Sequence, residues 1–530
     1  MAINGGIPLV LACCIWLLPN GCDSSSRILV VPLDGSHWVN MEIILKELHS
    51  RGHNLTVMLS AKSWYIPVKS PFYTSIVMKS LEDDIDLTFY DDMLKRNLKY
   101  RKMGSFLSFI FQQWDLTSMF AMGHGILSKA AAEIFDDQVF MAQLRDAKYD
   151  LVLTDPGLPI GVLFAHYLNL PMVFNVRWIN IGDSHFTFAP SPVSYIPLTL
   201  TGLSDRMNFQ QRIVNMIYYI ISVLQQHLVL DPPYRELLER HFPPGSSMLS
   251  MQHAADIWLL RADFVFEFPR PTMPNVVYVG GFQCKPSKPL SAELEEFVQG
   301  SGEHGLIVMS LGTLISSLPQ EITEAIAAAF AELPQRVVWR YIGVRPSTLG
   351  NNTLLVEWFP QNDLLGHPKT KAFVAHGGTN GMYEAVYHGI PVLGLPLLFD
   401  QYDNVLRLQV RGAARVVEVA TLTKDEFLDA LRDILENPSY RNNMQRLSRL
   451  HRDRSMSPMD SAIFWIEYVI RHKGAPHLRT EAYKLPWYSY HSLDVAALLL
   501  VLIGTSLWVS FTVCRILCCK FSSKKKQKQN

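Results

Sequence analysis

The stretch Lys371-Ala-Phe-Val-Ala-His376-Gly-Gly-Thr-Asn-Gly-Met-Tyr-Glu384-Ala-Val-Tyr-His388 joins two structural patterns. Its first five residues predict a buried strand, and residues 382–388 predict a helix that ends before Gly389. The glycines between them suit neither element, so a glycine turn leads into a helix N-terminus at the carboxyl end of a parallel strand. Free backbone N–H groups and the positive helix end favour phosphate oxygens at such a place.

The same alternation of strands and helices continues from this turn in both directions and predicts an α/β fold. Short hydrophobic runs predict strands at 27–32, 53–59, 149–154, 172–174, 306–309, 336–340, 353–357 and 391–395. Apolar stripes predict two helices, one through Met41, Ile44, Leu45 and Leu48 and one through Ile322, Ile326, Phe330 and Leu333. A proline-bearing linker at 284–290 separates the halves, so we predict domains at 25–284 and 285–473.

Composition supports a large globular body. The 530 residues exceed what one core usually holds, and 48% of them are hydrophobic. Lys+Arg and Asp+Glu balance at 48 each, which argues against a nucleic-acid partner. Of seven cysteines only Cys284 certainly remains in the body, so a disulfide framework is excluded.

Both chain ends carry membrane or targeting signals. Residues 1–24 predict a signal peptide, with a buried N-terminal helix as the alternative. Residues 495–514 form an uncharged run long enough to cross a bilayer, preceded by an aromatic segment within 474–494 and followed by a basic tail, 515–530. The positive-inside rule makes that tail cytoplasmic. Lys526 and Lys528 resemble a dilysine signal for the endoplasmic reticulum, although a generic basic anchor against lipid fits as well.

Several segments have competing interpretations. Asp83-Asp84-Ile85-Asp86 contains an Asp-x-Asp of the kind that holds a metal in some glycosyltransferases, but a solvated acidic run is favoured. Residues 213–224 are too short to span and predict a core or interfacial helix. The aromatic patch at 106–111, with Trp114 and Phe120, is core by default and an acceptor pocket or membrane-facing surface otherwise. Asn54 and Asn351 head glycosylation sequons.

The residues around the glycine turn suggest a site for a nucleotide sugar. His376 adds a donor beside the helix N-terminus, and Glu384, about one turn in, can accept from ribose hydroxyls. Asp400 and Gln401 follow the next strand and can bracket sugar hydroxyls. Trp358 offers a flat face for a base and Gln361 an amide for its edge or the ribose. The alternative is a helix cap with a packing tryptophan.

In these motifs the chain resembles the UDP-glycosyltransferases, most closely the vertebrate UDP-glucuronosyltransferases. The similarity runs through 358–404, Ser310-Leu311-Gly312-Thr313, 338–340, 279–289 and Ser36-His37-Trp38, and covers essentially the whole chain. It implies two facing Rossmann-like domains of the type B glycosyltransferase fold, with donor in the C-terminal half and acceptor in the N-terminal half. It also implies UDP-glucuronate as co-substrate, a small lipophilic acceptor, an endoplasmic-reticulum bilayer, and neither a cofactor nor a metal. Self-association and association with a related chain both stay open.

The resemblance also assigns roles. His37 corresponds to the general base and Asp155 to its partner, while Arg261 is a candidate for the glucuronate carboxylate, with a surface arginine as the alternative. The donor-binding set comprises Ser310, Arg340, Trp358, Gln361, His376, Gly378, Thr379, Asn380, Gly381, Glu384, Asp400 and Gln401. The chain departs from commoner members at Leu398-Phe399, which places bulk near the sugar. Transfer from UDP-glucose or UDP-N-acetylglucosamine, and an inactive membrane partner, are the competing functions.

Overall fold

The computed structural model describes residues 25–78, 88–177, 185, 187, 189–313, 315 and 318–527. The predicted signal peptide, the acidic Asp83–Asp86 segment and Lys528 lie outside these residues. The described chain divides into one unit that ends at His477 and a second that starts at Leu478.

The first unit contains two parallel sheets, and the N-terminal sheet has seven strands in the order β3-β2-β1-β4-β5-β6-β7. These strands are β1 Arg27–Val31, β2 Asn54–Ser60, β3 Thr74–Met78, β4 Leu151–Thr154, β5 Met172–Val176, β6 Ile257–Leu260 and β7 Val276–Tyr278. The central strands are nearly continuous runs of buried hydrophobic residues, as expected for a parallel sheet covered on both faces. The carboxyl ends of β4, β5 and β6 therefore lie side by side at one edge of the sheet.

The helices of the N-terminal domain include one that reaches the other domain. They are α1 Ser36–Ser50, α2 Thr88–Arg101, α3 Ser105–Asp136, α4 Gln138–Asp146, α5 Pro159–Tyr167, α6 Phe209–Gln225, α7 Arg235–His241 and α8 Met248–His253. The predicted stripe of α1 is buried. Leu94 and Leu98 of α2 join the core cluster around Ile326 and Phe330 of the C-terminal domain. This helix therefore fastens the two domains together.

The aromatic patch of the sequence is divided between core and surface. Leu116 and Phe120 of α3 are buried against Tyr218 of α6, whereas Phe106 is 73% exposed and Trp114 is 72% exposed. The expectation of ordinary core therefore holds for Phe120, and Phe109 packs partly buried against the same cluster. Phe106, Phe111 and Trp114 lie on the surface.

The C-terminal domain has a six-stranded parallel sheet in the order β10-β9-β8-β11-β12-β13. Its strands are β8 Leu306–Ser310, β9 Arg336–Arg340, β10 Thr353–Val356, β11 Thr370–Ala375, β12 Val392–Gly394 and β13 Ala414–Val416. Its helices are α9 Ala292–Gln299, α10 Gln320–Ala331, α11 Gln361–Leu365, α12 Thr379–His388, α13 Gln401–Gln409, α14 Lys424–Glu436 and α15 Pro438–Arg452. Two core clusters, one around Phe330 and one around Phe373, pack on its two faces. The two predicted sheets are thus both present, and the Rossmann-like α/β architecture is confirmed.

The chain then returns to the first sheet. Helix α16, Pro458–His472, packs against α1, β6 and β7 although it follows the second domain in sequence. Further polar contacts join the domains: Arg407 pairs with Glu267 at 2.7 Å, and Asp403 accepts from the backbone N–H of Leu200 at 2.5 Å. These contacts fix the two sheets so that the ends of their strands can share a site.

The second unit contains the short helix α17, Trp487–Tyr490, and the long helix α18, Leu493–Gln527. By length and composition, Leu493–Lys520 could cross a membrane, and none of its apolar window is buried. The helical stretch Phe209–His241 passes the same test with a third of its window buried. The apolar run predicted at 495–514 therefore lies within a candidate membrane span.

Candidate active site

The predicted base and its partner meet at the carboxyl edge of the N-terminal sheet. His37 Nδ1 lies 2.6 Å from Asp155 Oδ2, and the histidine side chain is 13% exposed while the aspartate is fully buried. Asp155 Oδ1 also accepts from the Gly157 N–H at 2.9 Å. A carboxylate that accepts from Nδ1–H orients the ring and leaves the Nε2 lone pair for a substrate proton.

A tight loop places His37 at the start of α1. Gly35 precedes the helix with φ 75°, which favours glycine. The Asp34 carboxylate accepts from the Gly35 N–H at 2.6 Å, the Ser63 hydroxyl at 2.6 Å and the Trp64 N–H at 2.7 Å. Three hydrogen bonds to the Asp34 carboxylate therefore fix the loop that positions His37.

On the C-terminal sheet, the glycine turn encloses His376. A Cβ atom added at Gly312 would lie 2.6 Å from His376 Nε2, and one added at Gly378 would lie 2.5 Å from it. Burial lowers the pKa of His376 to about 4, with the charges of Arg177 and Arg340 contributing. The imidazole is therefore neutral at pH 7 and can offer one N–H without adding charge.

Helix α12 starts directly after this turn. Within the described chain, no side chain caps the helix at Gly378, so the N–H groups of Thr379, Asn380 and Gly381 are available to an anion. Ser310, at the end of the adjacent strand β8, is buried beside them. The sequence-predicted phosphate site is thus assembled from neighbouring strand ends, with its ligand assignment still a prediction.

The two domains touch at this helix. Asn380 Oδ1 accepts from Asn40 Nδ2 of α1 at 3.1 Å and from Arg261 Nη2 at 2.6 Å. Arg261 is 4% exposed, so the alternative of a surface arginine is wrong. The start of α1, which carries His37, therefore lies close to the start of α12.

The residues predicted to bind the nucleoside come from strand ends and from helices. Arg340 ends β9 and Trp358 follows β10, whereas Gln361 begins α11 and Glu384 lies in α12. Trp358 is 70% exposed, and the Arg340 guanidinium lies over its ring at 5.4 Å from the centroid. Gln361 Nε2 donates to Glu384 Oε2 at 2.6 Å. Burial raises the pKa of Glu384 to about 7, because the hydrogen bond from this neutral amide only partly offsets the loss of hydration. An exposed indole face beside a buried carboxyl is suited to a base and a ribose.

The predicted sugar residues begin α13. Asp400 Oδ2 accepts from Asn404 Nδ2 at 2.8 Å, and Asn404 Nδ2 also donates to the Gly377 carbonyl at 2.9 Å, tying this helix to the glycine turn. Gln401 Oε1 accepts from the backbone N–H groups of Leu397 and Leu398. Its amide nitrogen is the end left for a ligand. Phe399, with φ 55°, is partly buried against the core cluster around Phe330.

Two residues of this region escaped the sequence reasoning. Asn40 lies one turn after Ser36 on α1, and Arg177 follows β5 directly and donates to the Ser36 hydroxyl. The signal that could have found them is a polar residue directly after a buried strand, or one turn beyond the motif that carries the predicted base. The sequon residues Asn54 and Asn351 are both exposed, and their glycosylation stays a prediction.

The fold has solved counterparts. The glycosyltransferase of kitacinnamycin superposes with a TM-score of 0.56 over 84% of this chain and 99% of that chain, at 18% identity. The calicheamicin glycosyltransferase CalG4 gives 0.53 over 84% and 99%, also at 18% identity. The two facing sheets thus have the fold of type B glycosyltransferases.

Sequence relatives narrow the class. The family described as UDP-glucoronosyl and UDP-glucosyl transferase matches residues 26–528. UDP-glucuronosyltransferase 2A3 of Mus musculus is 41% identical over 526 residues, covering 96% of this chain and 95% of the relative. UDP-glucuronosyltransferase 2B15 of Homo sapiens is 40% identical over 522 residues, covering 96% of each. The chain belongs to the UDP-glucuronosyltransferase family and is a glycosyltransferase.

Proposed function

We propose that the protein transfers glucuronic acid from UDP-glucuronate to hydroxyl groups, and also to amines, of small lipophilic acceptors. The observation that carries the proposal is the His37–Asp155 pair at 2.6 Å, set beside the start of α12 through the contact between Asn40 and Asn380. A base on one domain and an anion-binding helix end on the other are what a displacement at an anomeric carbon requires. The lipophilic acceptor class comes from the family resemblance.

The reaction proceeds as a single displacement. His37 Nε2 takes the proton of the acceptor hydroxyl, and the acceptor oxygen forms a bond to the anomeric carbon from the face opposite UDP. The bond from that carbon to the diphosphate oxygen breaks, and its electron pair leaves with UDP, so an α-linked donor gives a β-linked product. Asp155 stabilises the imidazolium while it exists.

Each end of the donor has a proposed set of contacts. Trp358, Arg340 and Gln361 hold the uridine, and Glu384 accepts from the ribose. The diphosphate is bound by the first turn of α12 and by Ser310 and His376, whose neutral ring donates one N–H. Asp400 and Gln401 bracket the sugar hydroxyls, and Arg261 faces the carboxylate. The departing charge is thus stabilised by fixed dipoles, and no metal enters the scheme.

We place the enzyme in the endoplasmic-reticulum membrane, with α18 as a single span and both α/β domains lumenal. The exposed apolar part of α18 and the basic residues at its C-terminal end support this orientation. Protease added to intact microsomes should remove a tag fused to the C-terminus and only a few C-terminal residues of the chain. A tag that is protected until detergent opens the vesicles contradicts the orientation.

A donor panel tests the activity itself. Purified full-length protein in detergent should transfer from UDP-glucuronate to a phenol faster than from UDP-glucose or UDP-N-acetylglucosamine. The anomeric coupling constant of the product in an NMR spectrum should identify a β-linkage. Preference for a neutral donor overturns the donor assignment, and an α-linked product overturns the single displacement.

A further inference from the structure

Two arginines lie side by side at the carboxyl edge of the N-terminal sheet. Val176 of β5 is in register with Leu260 of β6, and the Arg261 N–H donates to the Val176 carbonyl at 3.1 Å. Arg177 and Arg261 are the next residues on these two strands. In a parallel pair, residues at the same level point to the same face about 5 Å apart.

Their charges are poorly matched by the protein. Arg261 Nε and Nη1 and Arg177 Nε are shielded from solvent and have no hydrogen-bond partner among the described residues. Burial, together with the charge of Arg177, lowers the pKa of Arg261 to about 9. Burial also lowers the pKa of Arg177, although Asp400 and Asp155 act in the opposite direction. Two neighbouring guanidinium groups with unused N–H donors favour an anion close to them.

The nearby carboxylates are already engaged. Asp155 is bonded to His37 and to the Gly157 N–H, and Asp400 accepts from Asn404. Their hydrogen bonds leave the Arg177 and Arg261 donors unmatched. The missing negative charge is therefore expected from a ligand.

The strand order places Arg177 between Arg261 and the proposed base. Arg261 contacts Asn380 in the first turn of α12, where the diphosphate is proposed to bind. On the other side of β5 lies β4, which is followed directly by Asp155, the partner of the proposed base. Arg177 thus stands between the leaving-group end and the acceptor end, where the transferred sugar has to lie. Its hydrogen bond to the Ser36 hydroxyl fixes one arm there.

We propose that Arg177 binds the carboxylate of a hexuronate donor and, beside Arg261, sets the preference of the enzyme for an anionic sugar. This inference rests on the proposed function and assigns a specificity determinant to it. A neutral hexose would occupy the same space but leave the two guanidinium groups without a counter-charge. Arg177 therefore discriminates between donors and takes no part in proton transfer.

The experiment compares three ligands on full-length enzyme in detergent. For Arg177→Gln, the KM for UDP-glucuronate should rise roughly ten- to hundred-fold, as expected for a lost hydrogen bond between charged groups. The Kd for UDP should stay within about two-fold of the wild-type value, and the KM for UDP-glucose should not rise. The preference for UDP-glucuronate over UDP-glucose should therefore decrease. Arg177→Lys, which keeps the charge but not the planar fork, should give a smaller rise. Arg145→Gln, at an exposed arginine of the same domain, is the matched control.

The outcomes separate the possible failures. Equal weakening of UDP and UDP-glucuronate in Arg177→Gln assigns the arginine to the diphosphate and overturns the inference. An unchanged donor preference overturns it as well. Retained binding of UDP and an unchanged thermal transition show that Arg177→Gln is folded. If Arg177→Gln does not fold, the donor preference is compared between the wild type and Arg177→Lys. A wild-type enzyme that prefers a neutral donor overturns the proposed function and this inference together.

Discussion

Among the residues that the structure describes, two histidine–aspartate pairs have the same bond length and different surroundings. His37 and Asp155 meet at 2.6 Å, and so do His451 and Asp263. The His37 side chain is 13% exposed, whereas the His451 side chain is 3% exposed. A Cβ atom added at Gly281 would lie 2.5 Å from His451 Nε2, so backbone covers the nitrogen that a substrate would need.

The second pair is also bound to a permanent cation. Arg454 donates to Asp263, and the Tyr383 hydroxyl accepts from the Asp263 N–H at 2.9 Å. Burial raises the pKa of Asp263, but the hydrogen bond and charge of His451 and the charge of Arg454 outweigh it and hold the pKa below its usual value. Asp263 follows β6 while His451 ends α15, so this cluster joins the two domains. A hydrogen-bonded histidine–aspartate pair alone therefore does not identify a general base. The substrate must also be able to reach the Nε2 atom of the histidine.

The largest expected difference between the two pairs is in the turnover of the two histidine variants. His37→Ala should lose about a hundred- to ten-thousand-fold in turnover of a phenol while still binding UDP, because it removes the base but no donor contact. His451→Ala should keep its turnover per folded molecule. Rates normalised to UDP-binding sites provide the measurement. A His37→Ala enzyme with near-normal turnover of phenols would remove the basis of the comparison.

Replacing the two aspartates should affect stability most at Asp263 and turnover most at Asp155. Asp263→Asn should lower the free energy of unfolding by about 3–5 kcal/mol, since it leaves Arg454 and His451 without their buried partner. Asp155→Asn should instead reduce turnover, and the double variant with His37→Ala should be little worse than His37→Ala alone. Denaturant unfolding and single-turnover rates measure the two effects. Asp429→Asn, at an exposed aspartate, is the control for the loss of a charge; equal stability losses in Asp155→Asn and Asp263→Asn would contradict the distinction.

The sequence predicted the His37–Asp155 pair but not the His451–Asp263 pair, and the reason is physical. Buried hydrophobic runs identify parallel strands, and the residues that follow them share one edge of the sheet, which brought His37 and Asp155 together. Such hydrophobic runs do not reveal the order of the strands in the sheet. That order decides that Arg177 stands between Asp155 and Arg261, and that the chain returns from α15 to place His451 against Asp263. The helices α2 and α3 were missed because their apolar residues divide between the other domain, their own core and the surface.

Carboxylates of the donor site extend the comparison. Asp400→Ala should weaken UDP-glucuronate roughly ten- to hundred-fold, the range for hydrogen bonds to a charged group, and leave UDP nearly unchanged. Glu384→Ala should weaken both ligands, because the ribose belongs to both. Calorimetric titration with each ligand provides the measurement, and Asp400→Asn retains the shape of the side chain. Equal losses for both ligands in both variants would refute the division between sugar and ribose.

The smallest effect concerns a carboxyl that, unlike Asp263, has a neutral amide for its partner. Because burial raises the pKa of Glu384 to about 7, this group is mostly protonated at pH 6 and ionised at pH 8. Ribose hydroxyls donate better to the ionised form and should lower that pKa on binding, so UDP-glucuronate should bind about ten-fold more tightly at pH 8 than at pH 6. UDP-glucuronate is a better ligand than UDP for this test, because its carboxylate and diphosphate stay ionised between pH 6 and pH 8. The terminal phosphate of UDP, in contrast, titrates near pH 6. Glu384→Gln should flatten the dependence, and it also controls for Asp403, whose pKa burial raises to about 6. An affinity that falls as the pH rises in the wild type, or a slope that persists in Glu384→Gln, would show that Glu384 does not accept from the ribose.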